Sequence, residues 1–240
     1  MSRRTTRSYR SVNVEVMDPK RLVRESYEAL APRYLEWAES VRVTERRRYT
    51  DLLMRELDPG AGVLDLGCGP GGSTTRSLAT RFHVIGVDIS WANVVLAKAA
   101  VPAAQFVQGD MTEIELRPRS LDGVAAFYPL IHVPRREQPA VLARVAEWLR
   151  PGGLVVASVV MAKPQAVWAD YTHVRGFTRR SAELMFRDQG FHVESIWQMG
   201  GIPLTTRLGL IEHVPRMLRL PFVGRRWAAS WELRARRPLG

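Results

Sequence analysis

One cysteine, three lysines and no apolar run long enough to span a bilayer are what this 240-residue sequence most lacks. The lone thiol, Cys68, cannot close an internal disulfide, which excludes a cystine-stapled scaffold and points to a reducing, cytoplasmic setting. The most apolar window, Leu154–Met161, falls far short of the roughly 20 residues a membrane helix needs. The charged start, MSRRTTRSYR, is not followed by the apolar stretch of a signal peptide. These absences predict a soluble chain with no membrane span and no export signal.

The rest of the composition is ordinary. With 46% hydrophobic and 25% charged residues the chain can bury a full core unaided, and 240 residues exclude two large domains. The formal charge of +11 raises nucleic acid or anionic membrane as partners. Its placement weighs against both. Arg3, Arg4, Arg7 and Arg10 open the chain, residues 216–240 hold seven arginines against one glutamate, and residues 11–215 are nearly neutral. Lys20, Lys98 and Lys163 are the only lysines, so the excess is arginine, as a GC-rich codon bias also produces. No nucleic-acid partner is favoured.

Along the chain, residues 20–57 read as two helices, with Pro32 as a break or the first turn of a new helix. Short apolar runs at Val63–Leu66, Phe82–Val87, Gln105–Gln108, Gly123–Phe127 and Leu154–Val160 read as strands. Helices are predicted between them at Ser73–Ala79, Trp91–Ala100 and Glu137–Leu149, the last closed by Arg150-Pro151-Gly152-Gly153. That alternation predicts βαβ units and a parallel sheet with helices on both faces. After a helix at Thr178–Gln189, strands Phe191–Gln198 and Ala228–Arg236 have no clear crossover helix between them, which predicts an antiparallel edge pair. The expected fold is α/β, a Rossmann-like, mostly parallel seven-stranded sheet with an antiparallel C-terminal strand pair. As one structural domain it divides into a basic arm (1–19), a helical cap (20–57), a core (58–198), a lid-like insertion (199–227), and a final strand and tail (228–240).

The densest signal is VLDLGCGPGGSTTRSLA, Val63–Ala79. Gly67, Gly69 and Gly72 satisfy G-x-G-x-x-G at a strand-to-helix turn, where a missing Cβ lets a ligand lie against backbone and N–H groups face it. Asp88 ends the next strand, 21 residues past Gly67, where a carboxylate can accept both ribose hydroxyls of an adenosine. Asp110 follows the third strand, where it could accept from an adenine amino group. Asp65, Asp88 and Asp110 thus recur at the carboxyl ends of successive strands. Each alone could be a helix or turn cap. A dinucleotide and S-adenosylmethionine (SAM) both remain open at this point, but Asp65 would repel a pyrophosphate and could hold an α-ammonium group. None of the six tyrosines has a lysine four residues later, which removes the short-chain dehydrogenase pattern.

These stretches resemble the class I SAM-dependent methyltransferases. Val63–Gly71 is similar to their motif I, Val87-Asp88-Ile89-Ser90 to motif II, Gly109-Asp110-Met111 to motif III, and Leu149–Leu154 to the turn before strand five. Phe127–Arg135 resembles the type 11 branch, which methylates small molecules, and the similarity spans roughly residues 25–160. The resemblance implies that SAM is the cofactor. Gly67, Cys68, Gly69 and Gly71 would line its methionine part, Asp88 and Ile89 the ribose, Asp110 and Met111 the adenine, with Phe127 beside the methyl. Tyr27 and Tyr34 fit the aromatic cover that such proteins draw from their N-terminal helices, or they are plain helix packing.

Methyl transfer from a sulfonium needs mainly proximity and alignment, and a base only where the acceptor carries a proton. His132, after the fourth strand, is the expected base, with helix capping as its alternative role; His173 has a weaker claim, while His83 and His192 sit in strand patterns. A lone cysteine inside the glycine turn excludes a covalent pyrimidine route, Phe-Tyr-Pro-Leu is not the exocyclic-amine motif, and no paired metal carboxylates stand there. The expectation is metal-independent methylation of a small acceptor, apolar or aromatic, such as a secondary metabolite or quinone-like compound. Methylation of RNA or protein through the basic ends, or SAM binding without turnover, are the alternatives.

Overall fold

Val63, Leu64, Asp65 and Leu66 are all buried, as a central strand covered on both faces requires, and they form β1 (Gly62–Leu66) of a computed structural model. The structure describes residues 18–40, 44–162, 167, 172–198 and 230–239. The insertion expected at 199–227 and nearly all of the basic arm lie outside the described residues.

Six further strands join β1: β2 (His83–Asp88), β3 (Gln105–Gln108), β4 (Leu121–Phe127), β5 (Leu149–Val160), β6 (His192–Gln198) and β7 (Ser230–Arg236). Their order is β3-β2-β1-β4-β5-β7-β6. The first five run parallel, and β7 is antiparallel to both β5 and β6. This is the expected mostly parallel seven-stranded sheet with an antiparallel C-terminal pair.

Helices α1 (Pro19–Ser40), α2 (Thr44–Glu56), α3 (Ser73–Ala79), α4 (Trp91–Ala100), α5 (Gln138–Trp148) and α6 (Arg179–Arg187) connect and cover the strands. Strand side chains alternate between faces. Val63, Ala125, Phe127 and Val156 pack with Tyr49 and Leu53 of α2 and Leu78 of α3, while Leu64, Val124, Ala126 and Val155 pack with Val141 and Trp148 of α5 and Phe186 of α6. Two apolar cores thus sandwich one sheet. A Thr178–Ser181 capping box starts α6 by satisfying amide groups that have no intrahelical partner.

Two boundaries differ from the sequence reading. Helix α1 runs unbroken through Pro32, since a proline removes only one N–H and α1 packs on α4. Arg150–Gly153 does not simply close α5: Leu149 already pairs with Leu121, and the next pair is Gly123 with Leu154, so the turn is a bulge inside β5. Gly152, at φ 79, takes the left-handed conformation this bulge needs.

The fold places β2 on one side of β1 and β4 on the other. The crevice at the carboxyl ends of β1 and β4, where the strand order reverses, is where open α/β sheets bind ligands.

Candidate functional site

The glycine turn, Gly67–Gly72, leaves β1 at that crevice. Gly67 (φ 73), Gly69 (φ 57) and Gly71 (φ 75) are all left-handed. Their missing side chains serve three different contacts. A Cβ on Gly67 would stand 2.6 Å from Pro129 Cβ, one on Gly71 would stand 2.7 Å from Ala97 Cα of α4, and one on Gly69 would face Tyr34 Cε1 at 3.5 Å. Gly71 is therefore a helix-packing glycine, whereas Gly69 faces the cover.

The turn's amides do not face a ligand as the motif suggested. Gly67 and Cys68 donate to Val87 O, Gly69 donates to Asp88 Oδ2 at 2.9 Å, and Gly71 donates to Cys68 O. With these four donors spent and carboxylates on either side, this part of the turn disfavours a phosphate. It suits a cationic or zwitterionic ligand. Cys68 itself is buried, its thiol pushed well up by desolvation and the Asp65 charge, so it is an inert neutral group.

Three carboxylates line this edge. Asp65 is 4% exposed, accepts from Thr75 Oγ1 of α3 at 2.6 Å, and is pushed up to about 6 by burial. Asp88 accepts from Gly69 N, Ser90 N and Asn93 Nδ2, so it braces the turn and the start of α4 together; burial raises its pKa despite those donors. Ile89 and Ser90 follow it, and Ser90 caps α4. Asp110 accepts from both Thr112 N and Thr112 Oγ1 at 2.8 Å. Burial would raise its pKa, but the Thr112 amide and Lys20 outweigh that and hold it below the ordinary range. Met111, half-buried, packs against the core beside it.

Helix α1 lies across the same edge and is tied to it at three points. Lys20 Nζ stands 2.9 Å from Asp110 Oδ2, and 3.2 Å from both Glu113 and Glu137. Glu28 accepts from Ser90 Oγ at 2.5 Å and Ala92 N at 3.1 Å, at the start of α4. Tyr27 meets Tyr34 edge-on at 5.6 Å and reaches His132 Nε2 with its hydroxyl at 3.1 Å. The structure thus brings Tyr27, Tyr34 and His132 together.

His132 ends a short 3-10 turn, Pro129–His132, just beyond β4. Both ring nitrogens are engaged: Nε2 by Tyr27, and Nδ1 by Thr172 Oγ1 at 3.0 Å. His173 stands near, its ring centroid 5.2 Å from that of His132. Phe127, 8% exposed, closes β4 on the α2 side of the sheet. His83 and His192 are exposed at the starts of β2 and β6, away from this edge. Among the described residues no group of three or more His, Cys, Asp or Glu side chains could hold a metal ion. A cavity of about 560 Å3 opens instead at the opposite ends of the strands, lined by Gly152, His192, Arg236 and Leu239, and it collects no paired chemistry.

Sequence reasoning missed Lys20, Glu28 and Thr172, since each meets its partner across a long chain separation. One signal was present: Lys20 is one of only three lysines in an arginine-rich chain.

Residues 63–153 match a family profile described as a methyltransferase domain, covering the glycine turn and the strands that carry all three carboxylates. Over that segment, less than half of the chain, the protein is similar to this methyltransferase family, and its sheet is that of the Rossmann-like methyltransferase fold. The domain is 31% identical over 158 residues to a phosphoethanolamine N-methyltransferase of Triticum aestivum, covering 61% of this chain and 30% of that protein. It is 41% identical over 107 residues to a trans-aconitate 2-methyltransferase of Deinococcus radiodurans, covering 42% of this chain and 38% of that protein. The chain therefore spans well under half the length of either curated relative. The magnesium protoporphyrin IX methyltransferase of Synechocystis, solved with bound SAM, shares the fold with a TM-score of 0.67 at 18% identity, over 93% of this chain and 99% of that one. SAM is the family's cofactor, and the observed edge fits it: an acidic, glycine-lined trough is chemically matched to a sulfonium and an α-ammonium group. No helix among the described residues is long and apolar enough to cross a membrane.

Proposed function

We propose that this protein transfers the methyl group of SAM to a small-molecule acceptor by in-line displacement, without a metal. The observation that carries the reading is the row of Asp65, Asp88 and Asp110 along one sheet edge, braced to the glycine turn and covered by α1. Asp65 would hold the α-ammonium group, Asp88 with Ile89 the ribose, and Asp110 with Met111 the adenine, between Gly67, Cys68, Gly69 and Gly71 below and Tyr34 above. Bound SAM supplies an electrophilic methyl on a good leaving group. The chain's own residues then have to align an acceptor and exclude water.

His132 is the proposed base, acting through Tyr27. In the tautomer with the proton on Nδ1, toward Thr172, Nε2 would be the basic nitrogen, and the Tyr27 hydroxyl in contact with it would pass on the acceptor's proton. Tyr27, Tyr34, Phe127 and Tyr128 offer aromatic walls that suit an apolar or aromatic acceptor, such as a quinone-like compound. The one thiol is buried, which suits a cytoplasmic site of action.

The test is incubation with methyl-labelled SAM in parallel with three probes: phosphoethanolamine, trans-aconitate and a hydroxylated naphthoquinone, with bulk tRNA as a fourth arm. Label in a small-molecule fraction supports the proposal, and label carried only by tRNA or by protein contradicts it.

A further inference from the structure

With SAM placed over β1, β2 and β3, the half of the edge left for an acceptor is that of β4 and β5, and residues 172–177 are tied to it at both ends. Val174 N donates at 2.9 Å to Ile131 O, in the short turn after β4, and Phe177 N donates at 2.8 Å to Val160 O, at the end of β5. Thr172 and His173 stand against His132. Gly176 fits only without a side chain, since a Cβ there would come to 2.5 Å from Val167 Cγ2 and 2.6 Å from Ala162 Cα. The segment is therefore held in one place beside the proposed base.

Arg175, in this segment, is a half-buried cation without an anion. Its guanidinium lies 4.1 Å from the centre of the Phe177 ring, Nη2 meets Met185 Sδ of α6 at 3.2 Å, and Nε is buried with no hydrogen-bond partner. A thioether is a weak acceptor, and a buried donor left unpaired is rare. No carboxylate among the described residues forms an ion pair with Arg175 or with Arg135, which follows His132 by three positions. Burial first and the Arg135 charge second lower the Arg175 pKa, so the two cations act on each other, yet a guanidinium stays ionised. Two like charges with no acid between them, one carrying an unused buried N–H, are the complement of an oxyanion.

We propose that Arg175, with Arg135 beside it, is an anion subsite on the acceptor half of the edge, and that the acceptor carries a carboxylate or phosphate group. The inference rests on the methyltransferase reading above and deepens it to a substrate class: small acids, held by their oxyanion at Arg175 while the atom to be methylated lies toward His132 and Tyr27. A neutral acceptor would leave the buried N–H unpaired and the two arginines repelling. Phe177 backs the guanidinium and holds its fork in one plane, so the selection is for an oxyanion that takes two N–H groups, not for negative charge alone.

Inorganic phosphate and malonate are the probes, titrated by calorimetry at constant ionic strength into the full chain with S-adenosylhomocysteine present. The wild-type chain should bind at least one of them at one site, with millimolar or tighter affinity, and the tighter of the two tells a phosphate subsite from a carboxylate subsite. Arg175→Gln should weaken that binding about tenfold or more, and Arg175→Lys and Arg135→Gln about threefold or more. Arg136→Gln, at an exposed neighbour paired with Glu137, should stay within about twofold of wild type. The imidazole NMR signals of His132 and His173 should shift as the probe binds. No binding of either probe overturns the proposal, and so does an unchanged affinity in Arg175→Gln or Arg135→Gln, an equal loss in Arg136→Gln, or binding that leaves both imidazole signals unmoved. If Arg175→Gln does not fold, Arg175→Lys and the exposed Arg135→Gln decide. A chain that binds a probe but not S-adenosylhomocysteine would instead overturn the cofactor reading, and the acceptor role with it.

Discussion

Lys20 Nζ lies 2.9 Å from Asp110 Oδ2, across a span of 90 residues, and so straps the start of α1 onto the loop that follows β3. Lys20 bridges Asp110, Glu113 and Glu137, the last also paired with Arg136, and only about a fifth of its side chain is exposed. Removing it takes the cation from the nearly buried Asp110 carboxylate and leaves it near Glu113 and Glu137. Lys20→Met should speed dissociation of S-adenosylhomocysteine about tenfold, read by stopped-flow fluorescence, because the cover over the adenine end loses its anchor. An unchanged rate would show that α1 is not the gate.

Asp65 makes ligand binding and stability depend on pH in opposite senses. Its folded pKa is raised from 3.8 to about 6, so the ligand-free fold binds this proton more tightly than the unfolded chain does. The stabilisation is full below about pH 4 and is lost as pH rises through 6; the shift corresponds to about 3 kcal/mol. Holding an α-ammonium group needs the ionised form, so SAM affinity should weaken as pH falls below 6. In Asp65→Asn both dependences should flatten, measured by thermal melts and by calorimetry at pH 5 and pH 7.5. A wild-type SAM affinity identical at the two pH values would remove Asp65 from the ammonium site.

The glycines of the turn should respond unequally to alanine. Gly71→Ala drives a Cβ to 2.7 Å from Ala97 Cα at a positive φ, while Gly72→Ala meets nothing within 4 Å at φ −67. Urea unfolding should show a loss of about 3 kcal/mol for the first and within about 0.5 kcal/mol for the second. Equal costs would mean that the turn's packing on α4 is not what holds it.

His132 and Tyr27 should act as one unit. Replacing a general base typically costs about 100-fold or more. His132→Gln and Tyr27→Phe are each expected to slow turnover by about that factor, the double variant by little more than either, with SAM affinity within about threefold. Independent, multiplying losses would separate the two residues.

The strands and their mostly parallel sense were readable in the sequence because each central strand is a short apolar run bounded by glycine or aspartate, and the spacing from Gly67 to Asp88 to Asp110 repeats one βαβ unit. The breaks were harder. Pro32 reads as a boundary locally, yet tertiary packing on α4 carries α1 through it. The G-x-G-x-x-G pattern suggested amides turned toward a ligand, but Val87 O and Asp88 take them, which no local pattern encodes. The Tyr128 hydroxyl meets Ser230 of β7 at 3.0 Å, more than a hundred positions along the chain. Periodicity reports which face a residue takes, not which distant side chain it meets there.

The central claim is that the edge formed by Gly67, Asp65, Asp88 and Asp110 binds SAM. Isothermal titration of the full chain with SAM and with S-adenosylhomocysteine tests it most directly. The account predicts one site per chain with micromolar or tighter affinity for both, abolished or weakened at least tenfold by Asp88→Ala. No heat and no saturation with either ligand on a folded sample would contradict it.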